Sequence, residues 1–176
     1  TKTSVFFWDV VTKEEFARVK LYDVVTSLAF SPDGKYVVLS TSSGNIQFLD
    51  ELNGREATRI SQDIYVTALA FSSDGKYLVS GDLDGYAHVW DVKNGSAISY
   101  IKHDDSVMSV AFSPDGKYVA SGDYRGITRV WDAVTGDEVA RIEPDLPESG
   151  YVMSIAFSPD GRYVASANWD GIGNRS

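Results

Sequence analysis

Histidine is the side chain in this sequence best suited to acid–base chemistry, and the chain has two histidines and no cysteine. His103 is followed by Asp104, a pair that could act as a general base with an orienting carboxylate. His88 lies in an apolar run beside Val89, and no serine, cysteine or second histidine stands at a spacing that would build a nucleophile site. We therefore expect His103 to be a structural residue and the protein not to be an enzyme.

Asp82, Asp84 and Gly85 resemble the beginning of a calcium-binding loop. In such a loop a third ligand position separates the second acid from the glycine, and a bidentate glutamate closes the site. Here the glycine follows the second aspartate directly, and Lys93 stands roughly where the glutamate belongs. The sequence therefore predicts no metal site and no cofactor.

The elements that would position these residues repeat along the chain. A Trp-Asp pair or its equivalent recurs with a step of 41 residues, at Trp8-Asp9, Leu49-Asp50, Trp90-Asp91 and Trp131-Asp132. Between these pairs lie short apolar runs separated by glycine turns, and the turn Ser-Pro-Asp-Gly or Ser-Ser-Asp-Gly begins at Ser31, Ser72, Ser113 and Ser158. A period of about 40 to 45 residues with four short strands is typical of propeller blades.

With these repeats the chain resembles the WD-repeat β-propeller family. The resemblance covers nearly all of residues 4–171 and implies an all-β fold, a β-propeller of four-stranded antiparallel blades. The third strand of each unit is apolar at nearly every position, as in Val89-Trp90 and Val130-Trp131, so we expect both faces of each sheet to be covered. The near-identity of the units also fits an amplified, reconstructed or engineered propeller.

The chain begins and ends in the middle of a unit. Residues 1–22 match the last two strands of a blade, residues 150–176 match the first two, and residues 23–62, 63–103 and 104–143 form three full blades of a single array over residues 1–176. The family closes its ring by making one blade from both chain ends, and we predict the same here. A homodimer that shares an eight-bladed ring is favoured; a four-bladed monomer and a fragment of a longer propeller are the alternatives.

Members of this family often carry a structural hydrogen-bond tetrad of His, Ser or Thr, Asp and Trp in each blade. The resemblance predicts structural roles for Trp8, Trp90, Trp131, His103, Ser80, Ser121 and Ser166. The tetrad looks incomplete in every unit, because Arg125 stands at the aspartate position of the third full unit and Gln62 at the histidine position of the second. We therefore expect packing to stabilise each blade more than this network does.

Acidic residues concentrate on one side of the predicted disc. The formal net charge is −9, which disfavours a nucleic-acid partner. In the family, the loops before first strands and those between second and third strands share one face, and here these loops hold eleven acidic and three basic residues. The predicted partner-binding face comprises Tyr65, Asp82, Asp84, Asp104, Asp105, Asp123, Tyr124, Arg125, Tyr151, Trp169 and Asp170.

These features favour a non-catalytic scaffold whose acidic face docks basic peptide or protein segments. One alternative is a designed or reconstructed propeller without a natural ligand. Another is a propeller that binds a small ligand, or acts as an enzyme, in its central channel. No apolar run is long enough to span a membrane, and the lack of cysteine is compatible with a cytoplasmic location.

Overall fold

The computed structural model describes residues 2–144 and 150–169. Within these ranges the chain forms sixteen β strands and no helix. Accordingly, the described residues include no helix that is long and apolar enough to cross a membrane. The strands are β1 (Thr3–Trp8), β2 (Glu15–Leu21), β3 (Val25–Phe30), β4 (Tyr36–Thr41), β5 (Asn45–Asp50), β6 (Glu56–Ser61), β7 (Val66–Phe71), β8 (Tyr77–Asp82), β9 (Tyr86–Asp91), β10 (Ala97–Lys102), β11 (Val107–Phe112), β12 (Tyr118–Asp123), β13 (Thr128–Asp132), β14 (Glu138–Ile142), β15 (Tyr151–Phe157) and β16 (Val164–Trp169).

The strands form antiparallel meanders. Three sheets have four strands each, β3–β6, β7–β10 and β11–β14, and we call them the first, second and third blades. The first strand of each blade contacts the first strand of the next, so that β3, β7, β11 and β15 lie side by side. This arrangement confirms the predicted all-β fold with four-stranded antiparallel blades.

The Ser-Pro-Asp-Gly motif forms the hairpin between the first two strands of a blade. In the first blade, the Ser31 hydroxyl donates to the Asp33 carboxylate at 2.7 Å and accepts from the Tyr36 amide at 2.9 Å. Gly34 has a φ of 71°, which favours glycine, and its amide donates to the Ser31 carbonyl at 2.9 Å. Proline presets its own φ for the turn, so each residue type of the motif has a physical reason.

The apolar core lies between the blades rather than within one blade. Four buried clusters join neighbouring sheets along the array. The cluster between the first and second blades includes Ile60 and Trp90, and the cluster between the second and third blades includes Ile101 and Trp131. Each full blade therefore packs on both faces, which explains why its third strand is apolar at nearly every position.

The two ends of the chain form separate two-stranded sheets. We call β1–β2 the amino-terminal half-blade and β15–β16 the carboxy-terminal half-blade. In the part of the chain that the structure describes, β16 and β1 do not pair with each other. A blade shared by the two chain ends therefore stays a prediction.

Candidate protein-interaction face

A buried hydrogen-bond network spans the third blade. The Trp131 indole N–H donates to Ser121 Oγ at 3.1 Å, Ser121 Oγ lies 2.7 Å from His103 Nε2, and His103 Nδ1 lies 3.1 Å from Asp123 Oδ2. All four side chains are buried. Donation from Trp131 to Ser121, from Ser121 to His103 and from His103 to Asp123 satisfies every member. The expectation that the tetrad is incomplete in every unit is therefore wrong, because Asp123 and not Arg125 supplies the acid.

The Asp123 carboxylate is held in its charged form. Burial raises its pKa, but hydrogen bonds from His103 and from the backbone amides of Ile127 and Arg125 together bring the pKa below the ordinary value. The two amides each donate at 2.9 Å to the same carboxylate oxygen, Oδ1. The carboxylate therefore ties the turn after β12 to the interior of the blade.

Asp82 occupies the same position in the second blade but lacks a histidine partner. Gln62 stands in place of the histidine and contacts Ser80 at 3.4 Å. Asp82 Oδ1 accepts from the Tyr86 amide at 2.9 Å, whereas Oδ2 is buried without a hydrogen-bond partner among the described residues. His88 Nε2 lies 3.8 Å from that oxygen, and burial lowers the pKa of His88, which keeps this ring neutral at pH 7. Burial accordingly raises the pKa of Asp82.

The burial of Asp82 and Asp123 reduces the surface on which a partner could dock. Asp82 and Asp123 are 1% and 0% exposed, so neither lines an accessible surface, and both are corrections to the predicted partner-binding face. Their side chains point inward because they lie two residues after Ser80 and Ser121, on the same side of the strand. Asp170 lies outside the described residues.

Loops from neighbouring elements form one continuous surface above the blades. The Ser106 hydroxyl donates to the Leu83 carbonyl at 2.7 Å, and the Tyr124 amide donates to the Ser106 carbonyl at 2.8 Å. Gly85 has a φ of 85°, and a Cβ there would lie 2.6 Å from the Asp105 carbonyl oxygen, so only glycine fits this contact. We define the upper face as the exposed or half-buried residues Asp63, Tyr65, Leu83, Asp84, Asp104, Asp105, Tyr124, Arg125, Tyr151 and Trp169.

Part of the negative charge on the upper face is compensated by basic side chains. Asp105 pairs with Arg125 at 3.5 Å, and Asp104 lies 3.7 Å from Arg129 and 3.6 Å from Arg141. Two other exposed acids, Asp63 and Asp84, form no ion pair with any described residue. The Lys102 ammonium donates to the backbone carbonyl of Asp84, so a positive charge lies beside that residue although its carboxylate has no ion pair.

Two hairpins of the opposite, lower face carry paired charges. In the hairpins there, Asp33 lies 3.0 Å from Lys35, and Asp74 lies 2.9 Å from Lys76. Hydrogen bonds from Ser31 and Lys35 lower the pKa of Asp33 to about 2. The acids of these two turns therefore have ion-pair partners, whereas Asp63 and Asp84 do not.

The upper face also carries exposed aromatic residues. The rings of Tyr124 and Tyr151 stack with centroids 5.3 Å apart and planes 3° apart, and Trp169 lies 5.5 Å from Tyr151. Tyr124 and Trp169 are both about half exposed. Leu83 of the second blade is equivalent to Tyr124 but was not among the residues predicted for this face. The 41-residue step, which relates Leu83 to Tyr124, could have identified it. The upper face thus combines negative charge with apolar surface.

The remaining predicted residues divide between the full blades and the ends. Ser80, Trp90, Ser121 and Trp131 are buried, and Trp90 donates its indole N–H to Ser80 at 2.9 Å. Trp8 and Ser166, by contrast, are exposed, because each lies in a sheet of only two strands.

The rest of the described chain was expected to hold no metal site, and its lower face has a groove. Within residues 2–144 and 150–169, no three histidine or acidic side chains come together as metal ligands. A groove of about 740 Å³ lies between the first and second blades on the lower face, bordered by Tyr36, Tyr77 and Lys76.

The sheets, the packing between them and the Trp-Ser-His-Asp network define the chain as a WD-repeat β-propeller. The chain belongs to the family of β-propellers described as nucleolar protein 10-like, N-terminal domain, whose model matches residues 1–167. No curated protein matches the sequence.

Among solved structures, the chain is similar to the crystal structure of the computationally designed Ika8 protein. The TM-score is 0.80 at 29% identity, and the match covers 93% of this chain and 49% of the designed chain. This chain therefore spans about half the length of the designed propeller.

Proposed function

We propose that this chain is a non-catalytic protein-interaction scaffold that docks basic peptide or protein segments on its upper face. The observation that supports this proposal is that two exposed acids without an ion pair, Asp63 and Asp84, share the upper face with exposed aromatic side chains. A propeller fold suggests a role in protein interaction, and the charge defines the kind of segment that would bind. Since the family is named for a nucleolar protein, we propose a nuclear rather than a cytoplasmic site of action.

Charge and apolar surface would contribute to docking in different ways. Exposed charges act over a Debye length of about 8 to 10 Å at physiological salt, so Asp63 and Asp84 would mainly speed the encounter with a basic segment. The rings of Tyr124, Tyr151 and Trp169 would supply burial, and their free faces and edges would contact the stems of lysine and arginine. We therefore expect binding with a salt-dependent part and a salt-independent part.

The salt-dependent part of binding can be tested by fluorescence anisotropy with a labelled peptide rich in lysine and arginine. The double variant Asp63→Asn, Asp84→Asn should bind about threefold to tenfold more weakly, because each lost rim charge contributes less than about 1 kcal/mol. Asn is suited to position 63, where φ is 58°, because it tolerates left-handed backbone.

A matched control changes two exposed acids of the lower hairpins, Glu14→Gln and Asp137→Asn. It alters the net charge by the same amount, and its affinity should stay within about twofold of the parent. Equal losses in the two double variants, or an affinity that does not fall with added salt, would remove the upper face from the proposal. Tyr124→Ala should weaken binding equally at low and high salt.

We also propose that the scaffold is a ring of eight blades formed by two copies, in which residues 1–22 of one copy and 150–176 of the other make one blade. Two observations support this proposal: each end of the described chain forms a sheet of only two strands, and the chain matches 49% of a longer designed propeller. Light scattering should give about twice the 19.3 kDa of one chain. A mass of one chain would instead fit a four-bladed ring or an open array.

A second candidate function is a designed or reconstructed propeller without a natural ligand. The similarity to a computationally designed propeller at 29% identity favours it. In that case the basic peptide should bind no better than a neutral peptide of the same length.

A further inference from the structure

The contacts between blades repeat at fixed positions. Ile60 in the last strand of the first blade packs in one cluster with Trp90 of the second blade, and Ile101 packs in the same way with Trp131 of the third. In each pair the isoleucine and the tryptophan are at most 9% exposed. The next pair in this series would join Ile142, in the last strand of the third blade, to the tryptophan of a following blade.

The two members of that next pair are both present but lie at opposite ends of the chain. Ile142 is 44% exposed, against 7% for Ile60 and for Ile101. Trp8 is 57% exposed, against 9% for Trp90. Each side chain therefore lacks the neighbour that its equivalents have.

The first blade has a second uncovered area. Leu28 and Phe30 in β3 are 53% and 61% exposed, whereas their equivalents in the second blade, Leu69 and Phe71, pack against the preceding blade. Leu69 and Phe71 pack in one cluster with Val38, in the second strand of the first blade. The residue equivalent to Val38 in the carboxy-terminal half-blade is Ala165, which is exposed. The carboxy-terminal half-blade thus has the surface that β3 lacks.

The register of the missing strand pair follows from the full blades. Between second and third strands, Ser80 pairs with His88 and Ser121 pairs with Arg129. The same offset pairs Ser166 of β16 with Phe6 of β1.

Resting on the proposed dimer, we infer that β16 of one copy pairs with β1 of a second copy in this register, so that Trp8 packs against Ile142 of the other copy. The Trp8 indole N–H then donates to Ser166 of the other copy, as Trp90 donates to Ser80 within the second blade. Leu28 and Phe30 are covered by the carboxy-terminal half-blade of that copy. The same contacts form twice, because a two-fold axis relates the two shared blades.

A second copy is the partner that fits these surfaces. Each uncovered residue has its complement elsewhere on this same chain, at a position that is buried in the internal interfaces. The sheets of one copy superimpose on half of a longer propeller with a TM-score of 0.80, so that one copy has the curvature of half of that chain. Two unpaired strand edges also favour pairing with another strand.

The register can be tested by disulfide cross-linking, because the chain contains no cysteine of its own. The inferred register places Ala167 opposite Val5, and residues directly opposite on antiparallel strands have Cβ atoms about 4.5 to 5.5 Å apart. The double variant Val5→Cys, Ala167→Cys should therefore run as a covalent dimer on a non-reducing gel after mild oxidation. The control Val5→Cys, Ala165→Cys is two residues out of register and should cross-link at least about fivefold less.

The outcomes separate the register from the dimer itself. Loss of free thiols at the mass of one chain would mean closure within a single copy and would overturn the inference. A dimer by light scattering without a preferred cross-link would retain the proposed dimer and reject the register. A single-chain mass without a cross-link would reject both.

A second measurement follows the tryptophan. Trp8→Ala should raise the dissociation constant of the dimer about tenfold or more, as expected for an aromatic residue at the centre of an interface. Tyr22→Ala, in the same half-blade but 84% exposed and outside the inferred contact, should leave it unchanged. An unchanged dissociation constant for Trp8→Ala would contradict the contact with Ile142.

Discussion

Two aspartates at equivalent positions should respond in different ways to the same substitution. Asp123 in the third blade has a histidine partner, whereas Asp82 in the second blade does not. We predict that Asp123→Ala destabilises the protein strongly and that Asp82→Ala does so weakly. The pair is internally controlled, because both residues end the second strand of a blade and both are buried.

The magnitudes follow from the contacts that each variant loses. Asp123→Ala removes the acceptor of the His103 ring at 3.1 Å and of the Arg125 and Ile127 amides at 2.9 Å. A buried donor left without a partner costs about 1 to 3 kcal/mol, and the two amides are only partly buried, so a loss of about 3 kcal/mol is expected. Asp82→Ala removes one amide contact, from Tyr86, and also a buried carboxylate oxygen without a partner, so the expected loss is about 1 kcal/mol or less.

Urea denaturation at pH 7, followed by tryptophan fluorescence at one fixed protein concentration, measures the difference. We expect the free energy of unfolding of the two variants to differ by about 2 kcal/mol. Equal losses would refute the reasoning, because they would show that the His103 contact contributes nothing beyond the position itself. A larger loss of unfolding free energy for Asp82→Ala than for Asp123→Ala would also contradict the reasoning.

Two further predictions concern the second blade. Gln62→His should give Asp82 the partner that His103 gives Asp123 and raise the free energy of unfolding by about 1 kcal/mol, measured by the same denaturation; a destabilised variant would contradict the equivalence of the two blades. Asp82→Asn should stabilise the protein at pH 7 and do so less in acid, because burial raises the pKa of Asp82. The protonated Asp82 of the parent contributes its full stability below the unfolded pKa near 3.8, and this contribution is lost as the pH rises through the higher folded pKa. Melting temperatures of variant and parent between pH 3 and pH 7 test this, and a difference that does not change with pH would exclude the buried charge as its cause.

The repeat made most of the fold predictable. A 41-residue step, glycine turns at fixed offsets and apolar third strands are local features, and together they specify hairpins whose sheets need cover on both faces. The identity of the network acid was also within reach, because Ser80-Gly81-Asp82 recurs as Ser121-Gly122-Asp123. The sequence reasoning placed the acid at position 125, two residues too far along, where the chain has left the strand for an exposed turn.

The docking surface was less predictable. Whether an acid is exposed depends on loops that are distant in the sequence: Asp123 is covered partly by His103, and Asp105 is paired by Arg125. A count of charges per loop treats buried and exposed acids alike. The count therefore included Asp82 and Asp123, whose side chains are buried, and could not identify Asp63 and Asp84 as the exposed acids without an ion pair.

The amino-acid sequence alone determined that this chain forms a series of β blades, because hairpin turns and strand periodicity act between near neighbours in the chain. Only the tertiary structure decided which acids are free, which blade has a complete network, and which of the equivalent tryptophans is uncovered. Those properties are set by burial against other blades, and burial is a sum over contacts between residues that are tens of positions apart.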